Sequence, residues 1–123
     1  MFQSRRVLVV DDQDNVRQVI VDQLAVIGID ARTARNGREA LDICEATCDF
    51  DLVLADVVMP EVGGVELARR LKDLCPDLPV VLMTGHESQV DGVIDAGAVT
   101  LIKPFSLLSL EQIIEEALTD RSK

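Results

Sequence analysis

An α/β fold, a doubly wound five-stranded parallel sheet with five helices, is the architecture this sequence predicts, on three observations. Short apolar runs such as residues 7–10 (VLVV) and 52–55 (LVLA) are unbroken rather than alternating, which marks strands covered on both faces. The segments between such runs space their apolar residues helically, so strand and helix alternate along the chain. The strands also end in polar residues followed by turn formers, and right-handed crossovers bring all those ends to one rim of a parallel sheet.

Residues 7–10 form the first strand, which stops at the adjacent acids Asp11 and Asp12. From Asp14, Val16, Val19, Ile20, Leu24 and Ile27 recur at helical spacing, and Gly28 stands where a C-terminal cap belongs. Residues 29–34 are a weaker, more polar strand suited to a sheet edge. Asn36-Gly37 then opens a helix that turns Ala40, Leu41 and Cys44 inward. The third strand, 52–55, must end near Asp56, because Pro60 cannot continue a ladder and Gly63-Gly64 supplies turn chemistry before a helical pattern starts at Val65.

In that helix Val65, Leu67, Ala68 and Leu71 lie among Glu66, Arg69, Arg70 and Lys72, and Cys75-Pro76 stops it. Pro79 introduces the fourth strand, 80–83, which ends at Thr84-Gly85-His86. A short helix from about Ser88 presents Val90, Val93 and Ile94 before Gly97 closes it. The fifth strand, 98–102, delivers Lys103 and Pro104. The last helix buries Leu110, Ile113, Ile114, Ala117 and Leu118, and starts at Ser109, in a capping box with Gln112, or at Ser106. For five such units the expected strand order is flavodoxin-like, 2-1-3-4-5.

Composition fits one domain spanning residues 1–123: 48% of the residues are hydrophobic, and no linker or repeat interrupts them. No run of about eighteen apolar residues and no secretory signal pattern is present, which predicts a cytoplasmic protein without membrane insertion. The formal net charge of −10 and the absence of Tyr and Trp argue against direct nucleic-acid binding. Cys44 and Cys48 lack a second Cys/His pair, and His86 is the sole histidine, so Cys44, Cys48 and Cys75 are expected to be packing residues or inert thiols.

Asp11, Asp12, Asp56, Thr84 and Lys103 would converge at four strand ends. Each alone reads as a cap, a turn residue or a solvated charge; their joint placement points to a site. Clustered carboxylates repel unless a cation sits among them. Magnesium, a hard ion that keeps several waters, suits two or three carboxylates and a backbone carbonyl. Lys103 and Thr84 add a positive charge and a hydroxyl able to meet phosphate oxygens, and an Asp in such company can attack phosphorus.

These residues resemble the receiver domain of two-component response regulators over essentially the whole chain. The matching motifs are VLVVDDQ at 7–13, LVLADVVMPEVGG at 52–64, VVLMTGH at 80–86 and LIKPF at 101–105. The resemblance implies that Asp56 is the phospho-acceptor, that Asp12 binds Mg2+ directly while Asp11 acts mostly through water, and that the Val58 backbone carbonyl completes the ligands. Thr84 would follow the phosphoryl group and Lys103 would pair with it. The phosphoryl group would come from a histidine kinase, a phosphotransfer protein or a small phosphodonor. The domain would catalyse only its own phosphorylation and dephosphorylation, and an unidentified downstream protein would read its state.

The chain also departs from the family. Many receivers carry an aromatic switch residue three positions before the lysine, and here that position is Thr100. Val58 and His86 would line the approach of hydrolytic water, with His86 governing phosphoryl lifetime. The Lys103–Pro104 bond is often cis in the family. The last helix lacks the arginine-rich ending common before a DNA-binding domain, so no output domain is expected in this chain. Two other readings remain: a receiver-like interaction module that is not phosphorylated, and a magnesium-dependent phosphohydrolase acting on an external substrate.

Overall fold

A computed structural model describes residues 5–85 and 90–121. Its elements alternate as β1 (Arg6–Val10), α1 (Asp14–Val26), β2 (Asp30–Ala34), α2 (Gly37–Ala46), β3 (Leu52–Asp56), α3 (Gly64–Leu74), β4 (Val80–Thr84), α4 (Val90–Asp95), β5 (Val99–Ile102) and α5 (Leu107–Arg121). The five strands form one parallel sheet in the order β2-β1-β3-β4-β5, as the alternation of elements predicts. The expected start of the fourth helix near Ser88, and His86 before it, lie outside the described residues.

Alternate residues of the central strands feed two separate cores. Leu8, Val10, Val53, Ala55, Val80 and Leu82 pack with Ala40, Leu41 and Cys44 of α2, Leu67, Ala68 and Leu71 of α3, and Val93 of α4. Val7, Val9, Leu52, Leu54, Val81 and Met83 pack with Ile20 and Leu24 of α1 and Leu110, Ile114 and Ala117 of α5. Both faces of β1, β3 and β4 are therefore dry, which explains why their sequences read as continuous apolar runs. Truncating a fully buried member such as Leu54 to Ala should cost about 2–5 kcal/mol. The polar strand β2 lies at one edge and keeps three of its five residues exposed.

The helix ends follow local chemistry. At the end of α1, Gly28 adopts φ 78°, its N–H bonds to the Ala25 carbonyl, and the Ile29 N–H bonds to the Leu24 carbonyl. This is a Schellman closure, and only glycine adopts its left-handed position without strain. The Asn36 side chain caps α2 by accepting from the Glu39 N–H at 2.8 Å. Of the two candidate starts for the last helix, Ser106 is the one used: its Oγ accepts from the Ser109 N–H at 3.0 Å.

One expectation is corrected. Cys48 and Cys75 are joined in a disulfide, whereas Cys44 is a free, buried thiol as expected. The two bonded residues lie 27 positions apart, one just beyond α2 and the other at the C-terminus of α3. Both helices return to the rim where the strands begin, which leaves the two Cα atoms 5.8 Å apart, within bridging range.

Candidate functional site

The site occupies the opposite rim, where the strands end. Asp11 and Asp12 follow β1, Asp56 closes β3, Thr84 closes β4 and Lys103 follows β5. The adjacency of β1, β3, β4 and β5 makes neighbours of these four termini.

Lys103 is linked directly to Asp56: its Nζ donates to Oδ2, with side chains 30% and 13% exposed respectively. The other carboxylate oxygen of Asp56, Oδ1, accepts from the Val58 N–H at 3.0 Å. Both oxygens are thus oriented, while the side chain remains in reach of solvent. Thr84 is buried, and its backbone carbonyl accepts from the Lys103 N–H at 2.8 Å, locking the end of β5 to that of β4. The Lys103–Pro104 peptide bond is cis.

Asp11 is fully buried. Its Oδ1 accepts from the Gln13 N–H at 2.9 Å, whereas Oδ2 is buried without a hydrogen-bond partner among the described residues. Burial pushes the Asp11 carboxyl above its ordinary value of 3.8. The Gln13 N–H opposes that push, the charge of Asp56 adds to it, Lys103 opposes it and Asp12 adds to it. The electrostatic contributions of Asp56, Lys103 and Asp12 to one carboxyl identify a single charged cluster. Asp12 itself is exposed.

Among the described residues, no three His, Cys, Asp or Glu side chains converge into a ready cage for a metal ion. The chemistry of the rim nevertheless suits a hard cation held partly by water: a buried carboxylate oxygen with no donor among the described residues, and an exposed acid next to it in sequence. Val58 is exposed, with a side chain that carries no polar group. Thr100 lies half-buried in the middle of β5, opposite Leu82 of β4, so the aromatic position is filled by a small strand residue.

Sequence reasoning missed two supports of the site. Arg17, on the second turn of α1, donates through Nη1 to the Asp11 carbonyl at 2.8 Å and through Nη2 to Asp14 Oδ1 at 2.5 Å, pinning the turn that carries both acids. The available signal was a cation near the positive end of a helix, an unfavourable place that calls for an acidic or carbonyl partner. Gly64 was read as turn chemistry, but the need there is for space. A Cβ at that position would lie 2.4 Å from the Asp56 carbonyl oxygen, and the Gly64 N–H bonds to the Val57 carbonyl at 2.9 Å. The segment between them doubles back through Glu61 at φ 65°, a left-handed conformation uncommon outside glycine.

Comparison with known proteins agrees with this arrangement. A family model described as the response regulator receiver domain matches residues 7–115. The regulatory protein AtoC of Escherichia coli K12 is 38% identical over 122 residues, which cover 96% of this chain and 26% of AtoC. The response regulator receiver protein CpdR of Brucella abortus is 34% identical over 117 residues, covering 93% of this chain and 97% of CpdR. A crystal structure of a response regulator receiver domain protein from Clostridium thermocellum superimposes with a TM-score of 0.89 at 31% identity, covering 96% of this chain and 97% of that one. The chain spans about a quarter of AtoC and less than half of other curated relatives of similar identity. The strand-end acids, the lysine that reaches Asp56 and the matches over nearly the whole chain lead to one conclusion: the chain belongs to the response regulator receiver domains of two-component signalling.

Proposed function

We propose that residues 1–123 act as one receiver domain that takes a phosphoryl group onto Asp56 in a magnesium-dependent reaction and thereby changes its binding to a partner. The observation that carries this reading is the placement of Asp56: partly exposed at a strand end, one oxygen held by a backbone N–H and the other by the Lys103 ammonium. In the proposed step an oxygen of Asp56 attacks phosphorus, and the bond from phosphorus to the donor breaks. The leaving group, the histidine nitrogen of a kinase or phosphotransfer protein or the carboxylate of a small acyl phosphate, departs with the electron pair, and the histidine nitrogen takes up a proton.

Each neighbour has a part in that step. Lys103 neutralises charge on the carboxylate and then on the phosphoryl oxygens, and the Thr84 hydroxyl donates to one of those oxygens. Asp11, Asp12, Asp56 and the Val58 carbonyl are the groups that would hold Mg2+. Bound there, the ion would offset the charge that three carboxylates and a phosphoryl group bring together. The buried, partnerless Oδ2 of Asp11 supports that role.

The domain acts chemically only on itself. Val58, two positions past the acceptor, offers no general acid for turnover of an external phosphomonoester. No helix among the described residues is long and apolar enough to cross a membrane. The proposed partners are a histidine kinase or phosphotransfer protein upstream and a protein reader downstream, with the domain in the cytoplasm. The test is intact mass after incubation with magnesium and acetyl phosphate, beside Asp56→Asn. A gain of one phosphoryl group, absent in the variant, is expected. No gain from acetyl phosphate or from a phosphorylated kinase, with magnesium binding demonstrated, would leave the unphosphorylated interaction module as the better reading.

A further inference from the structure

At the rim far from Asp56, the Cys48–Cys75 bond is unequally accessible: Cys48 is exposed, whereas Cys75 is 3% exposed. A recess of about 260 Å³ opens beside the bond; Phe50, Leu74, Pro76 and Leu78 give it apolar walls around Cys48 and Cys75, and Asp77 is its one charged lining residue. The backbone carbonyls at the ends of two helices also lie against the sulfurs. Cys48 Sγ is 3.7 Å from the Cys44 carbonyl oxygen and 3.6 Å from that of Leu74, and Cys75 Sγ is 4.0 Å from that of Cys44. Helix C-terminal carbonyls lack intrahelical donors, so thiols formed by opening the bond would have acceptors close by as the sulfurs move apart. The two cores on either face of the sheet already supply the burial that small disulfide-dependent domains lack.

We propose that Cys48 and Cys75 form a reversible thiol–disulfide exchange site for low-molecular-weight thiols of the glutathione class, with Cys48 as the sulfur that is attacked. The incoming thiolate approaches Cys48 from the solvent side, along the line of the S–S bond. A new sulfur–sulfur bond forms to Cys48, the bond to Cys75 breaks, and Cys75 departs with the electron pair and takes a proton. A second external thiol attacks the mixed disulfide, releasing the Cys48 thiol and an external disulfide that carries the oxidising equivalents away. Closure is the reverse, with the external disulfide taking up the two electrons. Cys44 stays outside the cycle: it is 1% exposed, and burial pushes its thiol above the ordinary value of 9.0, against a smaller opposing effect of Arg32.

The test is equilibration of the wild-type chain in buffers of graded reduced-to-oxidised glutathione ratio, followed by acid quench, alkylation under denaturing conditions and peptide mapping. The expected result is a single reversible transition between a state with one alkylated cysteine, Cys44, and a state with three. Any mixed disulfide trapped in the transition should sit on Cys48. Folded Cys75→Ser, checked by circular dichroism, should accumulate the adduct at Cys48, whereas Cys48→Ser should gain none at Cys75. A Cys48–Cys75 link absent at every ratio, a link that stays closed in excess reduced glutathione, or an adduct carried preferentially by Cys75 would each overturn the proposal. The wild-type mapping decides the matter even where a variant does not fold, and none of these readouts depends on phosphorylation of Asp56.

Discussion

Lys103 Nζ meets Asp56 Oδ2 although the two residues stand at the ends of strands that are not neighbours in the sheet. β4 lies between β3 and β5, so the two side chains and the contact between them bridge two strand spacings, about 10 Å. A short side chain at position 103 would leave that gap open.

Replacing Lys103 with Met keeps most of the stem and removes the charge. Phosphoryl uptake from acetyl phosphate should slow by about a hundredfold, the usual effect of removing one preorganised donor from developing negative charge. The check is the rate of mass gain, with circular dichroism to establish that the fold is retained. An unchanged rate would remove Lys103 from the chemistry.

Asp11→Asn should stabilise the magnesium-free protein at neutral pH by about 1–3 kcal/mol, because a buried ionised oxygen without a partner becomes a neutral amide. The sign follows from the raised folded-state value: ionising Asp11 costs more in the folded chain than in the unfolded one. Its favourable contribution is therefore complete below the ordinary 3.8 and is lost as pH rises through the folded value. The advantage of the variant should accordingly shrink as pH falls through that window. Added magnesium should raise the Tm of the wild type and leave that of Asp11→Asn nearly unchanged. Thermal scans across pH, with and without magnesium, check both statements.

Arg17→Ala should weaken magnesium binding by about tenfold, since the guanidinium fixes the turn carrying Asp11 and Asp12 without belonging to the proposed ligand set. Calorimetric titration with magnesium measures this. An affinity equal to that of the wild type would show that the turn holds its shape without the arginine.

Gly64→Ala should be far more damaging than Gly28→Ala. At Gly64 the added carbon meets the Asp56 carbonyl oxygen at 2.4 Å, backbone that can yield only by moving β3 or α3; a loss of about 1–3 kcal/mol or more is expected, with impaired phosphoryl uptake. At Gly28 nothing among the described residues lies within 4 Å, and the cost comes from the left-handed backbone, about 1 kcal/mol. Denaturant unfolding of the two variants gives the comparison.

Much of this molecule was legible in the sequence because the informative features are local. Strands buried on both faces must be continuously apolar, so the polar residues that end them, Asp11, Asp56 and Thr84, mark both the strand boundaries and the site rim. The helix closure at Gly28 and the edge character of β2 follow from equally local rules. The features missed depend on distance across the fold. The Cys48–Cys75 bond requires two helix ends 27 residues apart to meet, and inert thiols were the reasonable expectation without that knowledge. The Arg17 contact is set by how α1 leaves its strand, and the constraint on Gly64 by how closely α3 returns to β3.

Parallel strands give the molecule two ends that cannot see each other. Cys48 lies just before β3 and Asp56 closes it, so the run of the strand separates them by about 17 Å, or roughly two Debye lengths at physiological salt. A doubly negative group appearing at one end is largely screened from a sulfur at the other. With Asp56 phosphorylated and the Cys48–Cys75 bond exchanged as proposed, the covalent state of each end would be set without reference to its counterpart, and the domain would then hold two independent bits, four distinguishable species, where a single acceptor would hold one.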